Sequence, residues 1–98
     1  MTKDEFLKKS AFLQGYISQL IEDSATELSN YDYYNANYVD ALISGQRGAA
    51  DIFFEMMNKH DENAQQIRTN LDNAVDELIA ICNDFGVDYT LFLNAAIF

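Results

Sequence analysis

The sequence predicts an all-α fold: an antiparallel bundle of three long helices with a short C-terminal helix, assembled as a dimer. Three observations carry that prediction. The 98-residue chain has no proline and four glycines, so few residues interrupt helices or build tight hairpin turns. Apolar residues recur in steps of three and four, most cleanly at Ala64, Ile67, Leu71, Ala74, Leu78, Ile81 and Phe85. Residues suited to capping stand at the ends of the periodic segments, from Thr2 and Glu5 to Gly86 and Asp88. A chain of this length buries one modest core, so residues 1–98 read as a single helical domain.

The first helix starts near Lys3, because Thr2 and Glu5 have the spacing of a capping box. At 100° per residue Phe6, Leu13, Tyr16, Ile17, Leu20, Ile21 and Leu28 fall on one side, opposite Asp4, Lys8, Gly15, Glu22 and Thr26. The helix is expected to end near Ser29. Residues 29–37, Ser-Asn-Tyr-Asp-Tyr-Tyr-Asn-Ala-Asn, favour turns and caps over helix interiors and read as a connection, with Asn35 or Asn37 capping the second helix.

The second segment runs through Tyr38, Leu42, Gly45, Ala49, Ile52 and Met56, with Ala41, Gly48 and Phe53 beside that line. Gly45 and Gly48 inside a helix each cost about 1 kcal/mol relative to alanine, which points to a close helix crossing or a ligand at that place. The polar run Asn58–Asn63 reads as a bend, with Asp61 as the next cap. A continuous helix competes with it, since Met56, His60, Ala64 and Ile67 keep one inward line. A rod over residues 36–85 would reach about 75 Å, too long for a compact monomer of this size.

The third segment, residues 64–85, is a helix-packing seam closed by a left-handed cap at Gly86. Asp88 caps a last helix, Tyr89 to Ile97, whose composition is strongly apolar. That tail, ending in Phe92, Ile97 and Phe98, covers a core or a partner subunit. Together with Gly45 and Gly48, Phe92 and Phe98 are the expected packing or oligomer residues of a homodimer.

Sixteen acids face six bases, a net charge of −10, and residues 11–98 hold 14 acids against Arg47, Lys59 and Arg68. Such a surface repels phosphate backbones and anionic lipid, which excludes direct nucleic-acid or membrane binding. No apolar run approaches the roughly 20 residues of a membrane span, and acids occupy the start where a signal peptide would be apolar. The expected location is the cytoplasm. The lone Cys82 lies on an apolar helix face as a small hydrophobe.

No catalytic or metal site assembles from the motifs. His60 has no second histidine to share a metal and reads as a solvated or capping residue. The stretch from Asn30 to Asn35 alternates oxygen donors but lacks the glycine and glutamate of a calcium loop. Phosphate loops and dinucleotide fingerprints are absent, so the chain is expected to be non-enzymatic and free of cofactors.

Two features fit protein binding. Tyr31, Tyr33, Tyr34 and Tyr38, with Asp32 among them, have the composition of binding loops, where tyrosine offers contact area with few torsions to freeze. Acids four apart, Asp23 with Glu27, Asp51 with Glu55, Asp72 with Asp76 and Asp84 with Asp88, lie about 6 Å apart on a helix, comparable to neighbouring phosphates on a strand. Asp72, Asp76 and Glu77 are the expected contact acids, able to occupy a basic nucleic-acid-binding surface of another protein. In size, acidity and lack of a catalytic site the chain resembles, in type, the small inhibitors encoded by phages and mobile elements, such as anti-CRISPR and anti-restriction proteins. The alternatives are an oligomeric helical-bundle assembly protein and a small-ligand binder with its pocket at Gly45 and Gly48.

Overall fold

The computed structural model describes residues 1–97. Among them are three helices and no strand: α1, Lys3–Ile43; α2, Arg47–Phe85; and α3, Tyr89–Ile97. None of these helices is long and apolar enough to cross a membrane.

The ends of the helices follow from local chemistry. The Thr2 hydroxyl accepts the Glu5 backbone N–H at 3.2 Å and donates to the Glu5 carboxylate at 3.0 Å, a capping box closed side chain to side chain. At the other end of α1, Gly45 takes φ 72°, Gln46 N–H donates to the Ala41 carbonyl at 2.9 Å, and Gly45 N–H to that of Leu42 at 3.2 Å. The pattern repeats after α2, where Gly86 has φ 83°, Val87 N–H reaches Cys82 O at 3.0 Å and Gly86 N–H reaches Asn83 O at 3.2 Å. Both are paired six-to-one and five-to-two closures around a left-handed residue, which glycine adopts without a Cβ clash. Asp88 then caps α3 by accepting the Thr90 N–H at 3.0 Å and the Thr90 hydroxyl at 2.7 Å.

These ends correct the expected helix count. Among the described residues there are two long helices, not three, because the chain reverses at residues 44–46 and nowhere else before Gly86. Residues 29–37 are continuous helix within α1, and Asn37, instead of capping, donates its amide to the Tyr33 carbonyl one turn back at 2.9 Å. Residues 58–63 are likewise helix within α2, where Asp61 accepts from Gln65 at 3.0 Å. Gly45 lies in the turn and Gly48 in the first turn of α2, and a Cβ added to either would meet no atom within 4 Å. The close crossing expected there is therefore absent from the chain's own packing.

A heptad phase explains why the helices pass through polar stretches. Along α2, Ala50, Phe53, Met57, His60, Ala64, Ile67, Leu71, Ala74, Leu78, Ile81 and Phe85 alternate steps of three and four, and every one is buried or half-buried. Along α1 the same holds for Phe6, Ser10, Leu13, Ile17, Leu20, Ser24, Glu27, Tyr31, Tyr34, Tyr38 and Ala41. A strict seven-residue repeat drifts about 20° per heptad from a straight 3.6-residue helix. Tyr16 and Leu28, placed inward at 100° per residue, accordingly stand exposed, as do Leu42 and Ile52.

The chain packs as two compact units, residues 1–22 with the chain from Arg68 onward, and Asp23–Ile67. In the first, α3 lies against both long helices. The Phe6 ring stacks on Phe85 at 4.4 Å and meets the edge of Phe92 at 5.3 Å, while Gln14 donates its amide to the Phe92 carbonyl at 3.0 Å. Leu13, Ile17, Leu20, Ala74, Leu78, Ile81, Cys82 and Ala96 complete this core, and the α3 tail covers it. Ser10 is buried among them with its hydroxyl donating to the Leu7 carbonyl at 3.2 Å. In the second unit the three-residue turn brings α1 and α2 side by side. Its core is small: Ala41, Ala50 and Met57 are buried and Tyr34 packs on half-buried Phe53, while Tyr38 meets the exposed Phe54 at its edge.

Candidate functional site

The residues that the sequence singles out divide between the two units. In the Asp23–Ile67 unit, the tyrosines project from helix α1 instead of a loop. Tyr34 turns inward, its ring stacked 5.4 Å from His60 and tilted on Phe53 at 6.4 Å, and Tyr38 packs 5.6 Å from Phe54. Tyr33 lies outside this packing, 63% exposed, its ring edge-on to Tyr34. Asp32 is exposed and Tyr31 half-buried.

Beside them stands a pair that sequence reasoning missed. His60 Nδ1 lies 2.5 Å from Glu27 Oε2, with both side chains largely buried. Glu27 and Tyr31 from α1 and His60, Asp61 and Ala64 from α2 line a groove of about 280 Å³. Because His60 continues the heptad line of Ala64, Met57 and Phe53, that line is the signal that could have found it. His60 is therefore neither a cap nor a solvated residue, and Glu27 is turned to the seam instead of forming an outward acid pair with Asp23. Among the described residues no three His, Cys, Asp or Glu side chains are grouped to hold a metal ion.

In the other unit, two clefts flank the α1–α2 seam. The first, about 400 Å³, sits where the three helices meet and is lined by Ile17 and Ile21 of α1, Leu71 and Val75 of α2, and Leu93 of α3. Asp72 and Asp76 of α2 form its rim. Both are exposed, and among the described residues no hydrogen bond or ion pair engages either carboxylate. Arg68, one turn before Asp72, makes no ion pair with it. The second cleft, also about 400 Å³, runs past Phe12, Tyr16, Asn70, Asn73 and Glu77. Glu77 is held there by Lys9 at 3.2 Å, so of the three expected contact acids only Asp72 and Asp76 share one cleft.

Phe92 of the expected oligomer set packs inside its own unit against Phe6, and Phe98 lies outside the described residues. Gly45 and Gly48 border none of these clefts. Cys82 is fully buried at the base of the first unit; burial, and after it the negative charge of Asp88, push its thiol pKa up. The Asp88 carboxyl is held below the usual carboxylate range by the Thr90 hydroxyl and then the Thr90 N–H. Neither a protein-family model, nor a curated protein, nor a solved structure matches the chain.

Proposed function

We propose that the chain is a non-enzymatic, cytoplasmic binding protein that occupies a basic nucleic-acid-binding surface of another protein, in the manner of anti-CRISPR or anti-restriction inhibitors of phages and mobile elements. One observation carries the reading: Asp72 and Asp76 stand one turn apart on an exposed face, and among the described residues no ion pair engages either carboxylate. Carboxylates about 6 Å apart repeat the spacing of phosphates along a strand, and the net charge of −10 steers the chain toward positive surfaces. Exposed Asp51 and Glu55 on α2 extend the same character to the other unit.

The test is affinity capture from a host lysate at low and high salt, followed by a nucleic-acid-binding assay on the captured protein. Salt should release the partner steeply, and the chain should compete with nucleic acid for it. Reversal of charge in Asp72→Lys with Asp76→Lys should abolish capture. Retention that is indifferent to salt and to both substitutions refutes the reading.

A second reading, a homo-oligomeric assembly protein, is favoured by Phe12, which is 69% exposed and stacked on Tyr16 at 6.1 Å. An aromatic pair of this kind on the surface marks a contact face. Sedimentation velocity decides it: a dimer that Phe12→Ser converts to monomer supports assembly, and a monomeric parent chain discards it.

A further inference from the structure

We propose that the cleft at the junction of the three helices seats an apolar side chain from a partner's basic amphipathic helix, with Asp72 and Asp76 holding the cations that flank it. The inference rests on the reading of the chain as a binder of basic surfaces, and adds where contact is made and what chemistry makes it.

The cleft is divided by polarity. Its floor, Ile17, Ile21, Leu71, Val75 and Leu93, comes from all three helices and offers no hydrogen-bonding side chain. Its rim is negative, formed by two carboxylates that no group among the described residues engages. Lys9, a cation of the same unit, is paired with Glu77. Nucleic acid and anionic lipid are repelled by such a rim, and a purely hydrophilic cation leaves the floor wet.

A second copy of this chain is disfavoured by the same charge, since it would bring a further −10 against the rim. The complementary ligand carries a large apolar residue with Lys or Arg one helical turn to either side. On a helix those cations stand about 12 Å from each other, against about 6 Å between Asp72 and Asp76, and their long flexible side chains reach inward over the anchor to close that difference. The apolar anchor gives the contact a part that salt does not screen, which a charge-only mimic lacks.

The test titrates the ¹⁵N-labelled full chain with three synthetic alanine-based helical peptides. The first carries one Leu with Arg four residues before and after it; the second replaces that Leu by Ala; the third replaces both Arg by Gln. The first peptide should shift the amide signals of Ile17, Ile21, Leu71, Val75 and Leu93. The Leu→Ala peptide should bind about tenfold more weakly. Asp72→Asn with Asp76→Asn should weaken the first peptide by about tenfold, as loss of two exposed ion pairs can, and leave the Arg→Gln peptide unchanged.

Equal binding of the first and second peptides overturns the cleft proposal while the wider reading of a charge-driven binder stands. Shifts centred on Phe12 and Tyr16, or self-association through the cleft without peptide, overturn it as well. Absence of binding by either Arg-bearing peptide removes both.

Discussion

His60 and Glu27 face each other across the α1–α2 seam at 2.5 Å, both at positions that the heptad phase of their helices, Ser10 and Ser24 apart, otherwise fills with apolar or aromatic side chains. The Tyr34 ring stacks on the imidazole and closes one side of the pair from water. A polar pair buried at a seam adds little net stability compared with an apolar one, but breaking it leaves an unpaired group behind. The pair fixes register, because a slip of one turn separates the two groups.

Single replacement, Glu27→Leu or His60→Leu, should therefore lower the stability of the Asp23–Ile67 unit by about 1–2 kcal/mol. The double variant should recover most of that loss. Urea unfolding followed by tyrosine near-UV circular dichroism, read as a double-mutant cycle, measures the coupling. Additive losses would show that the pair does not act as one.

The caps at Thr2, Gly86 and Asp88 are legible in the sequence alone, whereas the closure at Gly45 reads there as helix interior, and Asn37 and Asp61, which read as caps, lie inside helices. Thr2 with Glu5, Gly86 and Asp88 end helices by chemistry confined to a few neighbouring residues, and the seam from Ala64 to Phe85 is apolar at every inward position. The rest is hidden for one physical reason. Between Ser24 and Tyr38, and again at His60, the inward positions are polar or phenolic, so apolar periodicity by itself ends α1 early and breaks α2. The local preference of Asn and Ser for turns is outweighed by tertiary packing of the heptad line. The three-helix cleft is a product of that packing, since Ile17, Val75 and Leu93 are far apart in sequence.

The four glycines should separate cleanly into two pairs. Gly45 and Gly86 hold φ of 72° and 83°, which an L-residue adopts at a cost of about 1 kcal/mol. Gly15 and Gly48 lie in helices, with no atom within 4 Å of an added Cβ. Gly45→Ala and Gly86→Ala should destabilise the chain, and Gly15→Ala and Gly48→Ala should stabilise it by about 0.5–1 kcal/mol each. Thermal unfolding of the four variants checks this. Loss of stability in Gly48→Ala would mean that a close contact exists at that position after all.

Cys82 should behave as an inert core group. Its thiol is fully buried and its pKa is raised, first by burial and then by Asp88. Thiol reagents at pH 8 should label it only after unfolding. The sign of the linkage follows from the raised value: stability from the neutral thiol is fully present below the unfolded pKa, about 8.5, and is lost as pH rises through the folded one. The Cys82→Ala variant should lose stability less steeply in alkali than the parent chain. Rapid labelling of the folded chain would contradict the packing of α2 against α1 at this level.

Asp88 ties the acid response of the chain to the proposed cleft. Its carboxylate caps α3, and α3 supplies Leu93 to the cleft wall and Phe92 to the ring cluster around Phe6. The Thr90 hydroxyl and N–H hold the folded carboxyl pKa below that of the unfolded chain. Its contribution is thus present above the unfolded value, about 3.9, and is lost as pH falls through the folded one. Below about pH 4 the α3 amides should exchange faster with solvent than those of Leu71 to Leu78. In Asp88→Asn the side-chain oxygen can still accept from Thr90 but does not titrate, so this acid-dependent loosening should disappear. Hydrogen exchange measured by NMR from pH 6 to pH 3 distinguishes the cases, and equal loosening in parent and variant would trace the effect to carboxyls other than Asp88.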